Sequence, residues 1–311
     1  MNKEKRNAYV ALALVSFFWG TTYVAARVGA KEMPGFFMAG VRQFISGLLM
    51  VLFFLAKGYK FPDWKQLRQL FIQGMLLLCI ANGLLTWAMQ YISGGLAAVI
   101  VALVPLFVAL FSAWLSKTGR ISRTAIAGLV IGFAGVLVIF SDYLGEMKKA
   151  TFVLGLVLSL LSVISWSYGT VYSKRLHSTT TILFGVGLQM LFAGVVMLIV
   201  CGLTGQYTSL TTATPQAIAA LAYLVVFGSL VAYSAYVFAL KKLPATQVTI
   251  YAYINPVVAV LAGWLLLAEK MTFVMLAGMI ITLAGVYLVN RESRKRANEK
   301  KTNPVSGKQL A

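Results

Sequence analysis

Arg42 is the one charged residue in an otherwise apolar stretch, Pro34 to Ala56. It stands roughly 12 Å along that stretch if the stretch is a helix rising 1.5 Å per residue. Holding an arginine at mid-bilayer costs about 2.5–3.5 kcal/mol, so such side chains turn toward a cavity or a partner. Two roles are open. Arg42 contacts a substrate carboxylate or phosphate, or it serves structure by snorkelling to headgroups or bonding backbone carbonyls. Trp19 and Tyr23 lie four residues apart and share a helix face. Trp166 stands in a similar setting further on, and Gln189 in one like that of Arg42. Asn82, Tyr233, Tyr236, Tyr251 and Asn255 add polar tips to apolar runs. Polar groups in hydrocarbon either line water or bond between helices. Together these ten residues are the candidate substrate-binding set.

The elements that must position them follow from composition. The 311 residues are 60% hydrophobic and only 11% charged, where a soluble domain carries about a quarter. Apolar runs of the length that crosses a bilayer as a helix recur from end to end. Lipid requires every backbone group to be satisfied within its segment, which selects helices, and the ten-residue alternation of a β-barrel is missing. Ten spans are read: Ala8–Val28, Pro34–Ala56, Leu67–Tyr91, Leu96–Ser116, Ser122–Ser141, Phe152–Lys174, Thr181–Leu203, Pro215–Leu240, Gln247–Ala268 and Thr272–Asn290. The first resembles a signal peptide, with Lys3, Lys5 and Arg6 ahead of it, but its length and its later counterpart argue that it stays. The tail from Arg291 is polar and basic and is expected to be disordered.

The net charge of +19 sits in short loops and in the tail. That is the distribution that orients a membrane protein, and it argues against a nucleic-acid partner. With a cytoplasmic N-terminus, 21 Lys and Arg face inside and five face outside. Both termini are therefore expected in the cytoplasm, with the chain in the cell membrane and an even number of spans.

The chain reads as a duplication. Trp19 and Arg27 are eight apart, as are Trp166 and Lys174, at an offset of 147. Gly40, Arg42, Gly47 and Met50 align with Gly187, Gln189, Gly194 and Met197 at the same offset. Ala88–Pro105 aligns with Ala239–Pro256 at an offset of 151. The expected organisation is a five-helix repeat over 1–145, a second over 150–290 and a tail over 291–311. Five spans per unit is odd, so the second unit enters from the opposite face. The fold class is thus all-α and polytopic, ten transmembrane helices as two inverted repeats, the plan of many secondary transporters. Pro105 and Pro256 fall mid-span, where a missing N–H and a steric clash bend a helix, and are candidate hinges. Gly128, Gly132 and Gly135, with Gly285, indicate close helix packing or a homodimer face.

The sequence resembles the EamA-type branch of the drug/metabolite transporter superfamily over residues 8–290. The resemblance rests on Ser16-Phe-Phe-Trp19-Gly20, on Arg42 and on the paired segments Ala88–Pro105 and Ala239–Pro256. Leu265-Leu-Leu-Ala-Glu269 adds to it. The first half departs from the pattern, with Ser116-Lys117-Thr118-Gly119 where Glu is expected. The resemblance implies export or exchange of small metabolites, often amino acids.

Other chemistry is poorly supplied. No Asp or Glu stands inside a span, so proton coupling is not indicated. One loop histidine, His177, and two separated cysteines, Cys79 and Cys201, form neither a metal set nor a nucleophile–base pair. No phosphate-cradling loop is present and no cofactor is expected. The expected function is a secondary transporter of amino acids or related compounds. The alternatives are an exporter of drug-like or nucleotide-derived compounds and, in another class, a membrane enzyme.

Overall fold

The computed structural model describes residues 3–115, 123–141, 145–176, 180–249, 251–269 and 271–302. His177 and the Ser116–Gly119 departure lie outside the described residues. The described chain is helical throughout, with no strand among these residues. We number the principal helices α1 (Lys3–Ala30), α2 (Gly35–Ala56), α3 (Trp64–Ala88), α4 (Gly94–Trp114) and α5 (Arg123–Ser141). They continue as α6 (Ala150–Arg175), α7 (Ile182–Thr204), α8 (Pro215–Lys242), α9 (Tyr251–Leu267) and α10 (Phe273–Thr302). Seven of them, α1–α4 and α6–α8, are long and apolar enough to cross a membrane; α5, α9 and α10 carry shorter apolar stretches.

Local sequence sets the ends. Asp63 accepts from Gln66 N at 2.8 Å and starts α3, Ser93 starts α4, and Thr214 followed by Pro215 starts α8. Gly205, at φ +67°, closes α7 in the left-handed conformation that glycine adopts without strain. The stretch 291–302, expected to be disordered, continues α10 as helix. Its lysines, arginines, glutamates and alanine are all good helix formers, and that preference prevails over low hydrophobicity here.

The helices pair in a regular pattern. α2 packs on α7, α5 on α10 and α4 on α9. α1 packs on α9 and α8, while α6 packs on α4 and α3; α2 meets α8 and α3 meets α7. Adding or subtracting five in both members of any of these pairs returns a pair in the same set. Glycines permit the closest approaches. A Cβ on Gly47 would strike the Leu191 backbone, and one on its repeat mate Gly194 would strike the Phe44 backbone. Gly135 and Gly285 play the same part between α5 and α10, against Gly278 and Gly132. The α5 glycine stripe thus packs against α10 within the chain.

The two prolines act unequally. α4 is interrupted at 102–103 and resumes with Pro105 in its first turn, the position where a missing N–H costs nothing. Pro256 lies inside α9, and ahead of α9 the one-turn helix Ala245–Val248 ends at Thr249. A second paired irregularity has no counterpart in the sequence reading. α3 is a π-helix over Met75–Asn82 and α8 over Leu224–Tyr233, at offsets of 149 and 151. Wider π turns are frequent at functional sites.

A central cavity of opposed repeat residues

Between α1, α2, α3, α4, α6, α8 and α9 lies a cavity with about 730 Å³ of atom-free space, mouth included. Eight of the ten candidate residues line it: Trp19 and Tyr23 from α1, Arg42 from α2, Asn82 from α3, Trp166 from α6, Tyr233 from α8, and Tyr251 and Asn255 from α9. Tyr236 and Gln189 do not. Tyr236 lies behind the wall, its ring 5.2 Å from both Trp19 and Trp166, and its hydroxyl bonds Thr170 Oγ1 at 2.6 Å. Gln189 stands behind Tyr233, whose hydroxyl donates to Gln189 Oε1 at 2.6 Å.

The π segments explain part of this placement. A wider turn leaves carbonyls free of the ladder, and side chains from neighbouring helices use them. Trp19 Nε1 donates to Gly228 O (3.1 Å) in the α8 π segment, and Ser165 Oγ donates to Leu76 O (2.7 Å) in that of α3. Arg42, 5% exposed, donates through Nε to Ser229 Oγ at 2.7 Å. Its guanidinium lies against Gly228, where a Cβ would sit 2.7 Å from Nη2. Glycine there makes room for the cation. Among the described residues, Arg42 makes no ion pair and no Asp or Glu lines the cavity.

Five rings form one cluster, four of them lining the cavity and Tyr236 behind them. Trp19 meets Trp166 edge-on at 5.2 Å and Tyr251 at 4.9 Å, the tilted geometry that aromatic quadrupoles favour. Tyr233 and Tyr236 complete it. Asn255 is 1% exposed. With its amide nitrogen turned to two carbonyls, it donates to Tyr251 O (3.1 Å) and Ser16 O (3.0 Å), tying α9 to α1. Asn82 Oδ1 accepts from Gln43 Nε2 at 3.2 Å, while Gln43 Oε1 is buried with no hydrogen-bond partner. A buried acceptor left open costs energy unless a water or ligand donor meets it.

Gln43 and Gly228 line the cavity and Ser229 holds Arg42, and the sequence reading does not single them out. Gln43 follows Arg42 directly, and adjacency on a helix ordinarily points two side chains apart. Here both reach the same cavity. Glu269 also has a role that sequence does not reveal. Its carboxylate accepts from the amides of Gly94 (3.3 Å) and Gly95 (3.5 Å), so a residue after α9 caps the start of α4. At the same end, Glu32 accepts from Thr214 N (3.0 Å) and Oγ1 (2.7 Å), and these bonds hold its carboxyl below the usual range.

Comparison with known proteins agrees with this architecture. The model of the EamA-like transporter family matches residues 6–141 and again 153–291. An Escherichia coli K12 protein described as an uncharacterized inner membrane transporter, YedA, is 36% identical over 283 residues, covering 90% of this chain and 89% of its own. A Bacillus subtilis protein described as an uncharacterized transporter, YvbV, is 28% identical and is covered to 93%, as is this chain. A solved crystal structure shares the fold at a TM-score of 0.68 and 18% identity, over 93% of this chain and 98% of the other. With apolar helices long enough to span a bilayer and a family model that matches both halves, this chain belongs to the EamA-like transporter family.

Proposed function

We propose that the protein is a secondary transporter that exports or exchanges small metabolites, amino acids foremost, by alternating access through the central cavity. The observation that carries this reading is the unpaired Arg42 guanidinium in a cavity with no carboxylate among its described lining. A buried cation with free N–H groups is a seat for an anionic group, which it binds by charge-assisted hydrogen bonds. The open Gln43 Oε1 suits a donor on the same solute, as an amino or amide nitrogen would be. The ring cluster offers apolar and π contact to the remainder.

In this reading the chain crosses the cell membrane ten times as two inverted five-helix repeats, with both termini cytoplasmic. The offset-related helix pairs, the paired π segments and the two-part family match support it. Two units of opposite orientation exchange conformations around a shared site, giving two states of similar energy. The interruption near Pro105 and the end of the one-turn helix at Thr249 are where α4 and the chain ahead of α9 would bend.

The test is counterflow into proteoliposomes with a panel of labelled amino acids, with and without a pH gradient, and with nucleotides as the anionic alternative. Arg42→Ala and Trp19→Ala are compared with wild type. Loss of uptake of carboxylate-bearing solutes in Arg42→Ala is expected. Wild-type rates for every solute in both variants would end the assignment.

A further inference from the structure

A second, smaller space lies on the other side of the cavity's wall. It is a recess of about 340 Å³, mouth included, between the start of α3, Leu176, the first half of α7 and the end of α8. Its lining is mixed: Gln66, Gln69, Gln73 and Gln189, with Thr181 and Lys241, stand among Leu70, Leu176, Ile182 and Val237. The neighbouring Lys242 pairs with Glu4 at 3.1 Å, which puts the recess on the face where α1 begins. The central cavity reaches Ala26 and Met89, at the far ends of α1 and α3, and so faces the opposite way.

One layer of side chains divides the two. Tyr233 lines the cavity and Gln189 lines the recess. The Tyr233 hydroxyl donates to Gln189 Oε1 at 2.6 Å, and Gln189 Nε2 donates to Gln73 Oε1 at 2.8 Å. All three side chains come from segments that are out of regular α geometry or touch one. Tyr233 ends the α8 π segment, and Gln73 stands two residues before that of α3. A Cβ on Gly74 would sit 2.6 Å from the Gln189 carbonyl oxygen, so α3 and α7 meet there backbone to backbone.

Repeat mates line the two spaces. Arg42 is in the cavity, and its mate Gln189 is in the recess. Thr86 is in the cavity, and its mate Val237 is in the recess. Two residues of the cavity lining thus have their repeat mates in the recess, on the far side of the Tyr233 layer. We propose that it is the second port of the transport path and that the Tyr233–Gln189 hydrogen bond is the gate between port and cavity. This rests on the alternating-access reading above. The port differs from the cavity in chemistry: four glutamine amides and the Lys241 ammonium stand where the cavity presents the Arg42 guanidinium and the ring cluster.

The experiment uses the full chain in membranes, with both buried cysteines replaced (Cys79→Ala, Cys201→Ala) and Ser162→Cys as a probe in the cavity. A membrane-impermeant methanethiosulfonate is applied from one face at a time. In the parent, the probe reacts from the face opposite the N-terminus. Tyr233→Phe and Gln189→Leu should each raise its reaction rate from the N-terminal face about three- to tenfold, the worth of one net hydrogen bond. Retained reaction from the opposite face reports that each variant is folded. Unchanged rates from the N-terminal face in both folded variants would overturn the gate. Counterflow on wild type separates the two claims. Transport with unchanged labelling retires the gate alone, and the expected labelling in a protein that moves no solute retires the transport reading while the gate stands.

Discussion

Arg27 and Lys174 make the same bond at opposite ends of the molecule. Arg27 Nη1 donates to the carbonyl of Met89, and Lys174 Nζ to that of Leu240 at 2.6 Å. The two donors are repeat mates, and so are the two acceptors. Each bond ties the first helix of a unit to the end of its third. Lys174 reaches Leu243 O as well, at 2.9 Å. The first strut stands beside Ala26 and Met89 at the rim of the central cavity, the second beside the recess near Lys241.

If the struts restrain opening at their own ends, removing them acts in opposite senses. Arg27→Gln should favour the state open on the face away from the N-terminus, and Lys174→Gln the state open on the N-terminal face. A charged hydrogen bond is worth about 1.5–3 kcal/mol when buried, and less at these partly exposed positions. Spin-label distances across each mouth read the balance directly. Shifts of the same sign in both variants would exclude the paired role.

Arg42 holds two jobs, a bond to Ser229 Oγ through Nε and open N–H groups toward the cavity. Lysine keeps the charge but not the planar fork. Arg42→Lys should therefore retain transport of carboxylate-bearing solutes with KM raised about tenfold, while Arg42→Gln, which copies the repeat mate, should lose roughly ten- to a hundredfold in kcat/KM. Ser229→Ala should fall between wild type and Arg42→Lys, because the guanidinium stays but loses its orienting partner. Equal kcat/KM for Arg42→Lys and wild type would mean that charge alone is recognised.

How much of this is legible in sequence depends on the length scale of the signal. Apolar runs announce the helices because lipid imposes both length and composition. Eight of the ten candidate residues reach the cavity because polar atoms on apolar helices have few other places to go. Tyr236 and Gln189 miss it by one layer, a distance that periodicity cannot resolve. The π segments are invisible because a 3.6-residue pattern still reads as helix when one turn is widened, and they are what turn Gly228 and Ser229 toward Trp19 and Arg42. Glu269 can be placed at a helix end, but its partners Gly94 and Gly95 lie in the other unit. The proline pair reads as symmetric, yet α4 breaks just before Pro105 while α9 carries Pro256 inside an intact helix.

The Glu32–Thr214 contact predicts a pH dependence with a fixed sign. Its carboxyl is held below its usual value of 4.5 by bonds from the Thr214 hydroxyl and amide. A depressed carboxyl stabilises the folded state above its unfolded value and loses that contribution as pH falls through the lowered folded value. Thermal midpoints of wild type and Glu32→Gln should therefore differ at neutral pH and converge on the acid side of 4.5. Because the group is exposed, the gap is small and shrinks with salt. A gap that persists unchanged through the acid limb would show that the carboxylate charge is not what holds Thr214.

Glu269 links the two units at that same face. It brings a negative charge to the first amides of α4, where the helix dipole and two unsatisfied N–H groups both favour it. Glu269→Gln keeps the size and one acceptor but removes the charge, which at a helix N-terminus is worth about 0.3–1 kcal/mol. Glu269→Ala also orphans the two amides and should cost more, about 1–2 kcal/mol in total. A Cβ on Gly263 would sit 2.6 Å from this carboxylate, so glycine there makes room for it. In detergent, the thermal midpoint should fall in the order wild type, Glu269→Gln, Glu269→Ala. A folded, solubilised Glu269→Gln equal to Glu269→Ala would show that the charge, not the cap, carries the contact; Glu269→Gln equal to wild type would show the reverse.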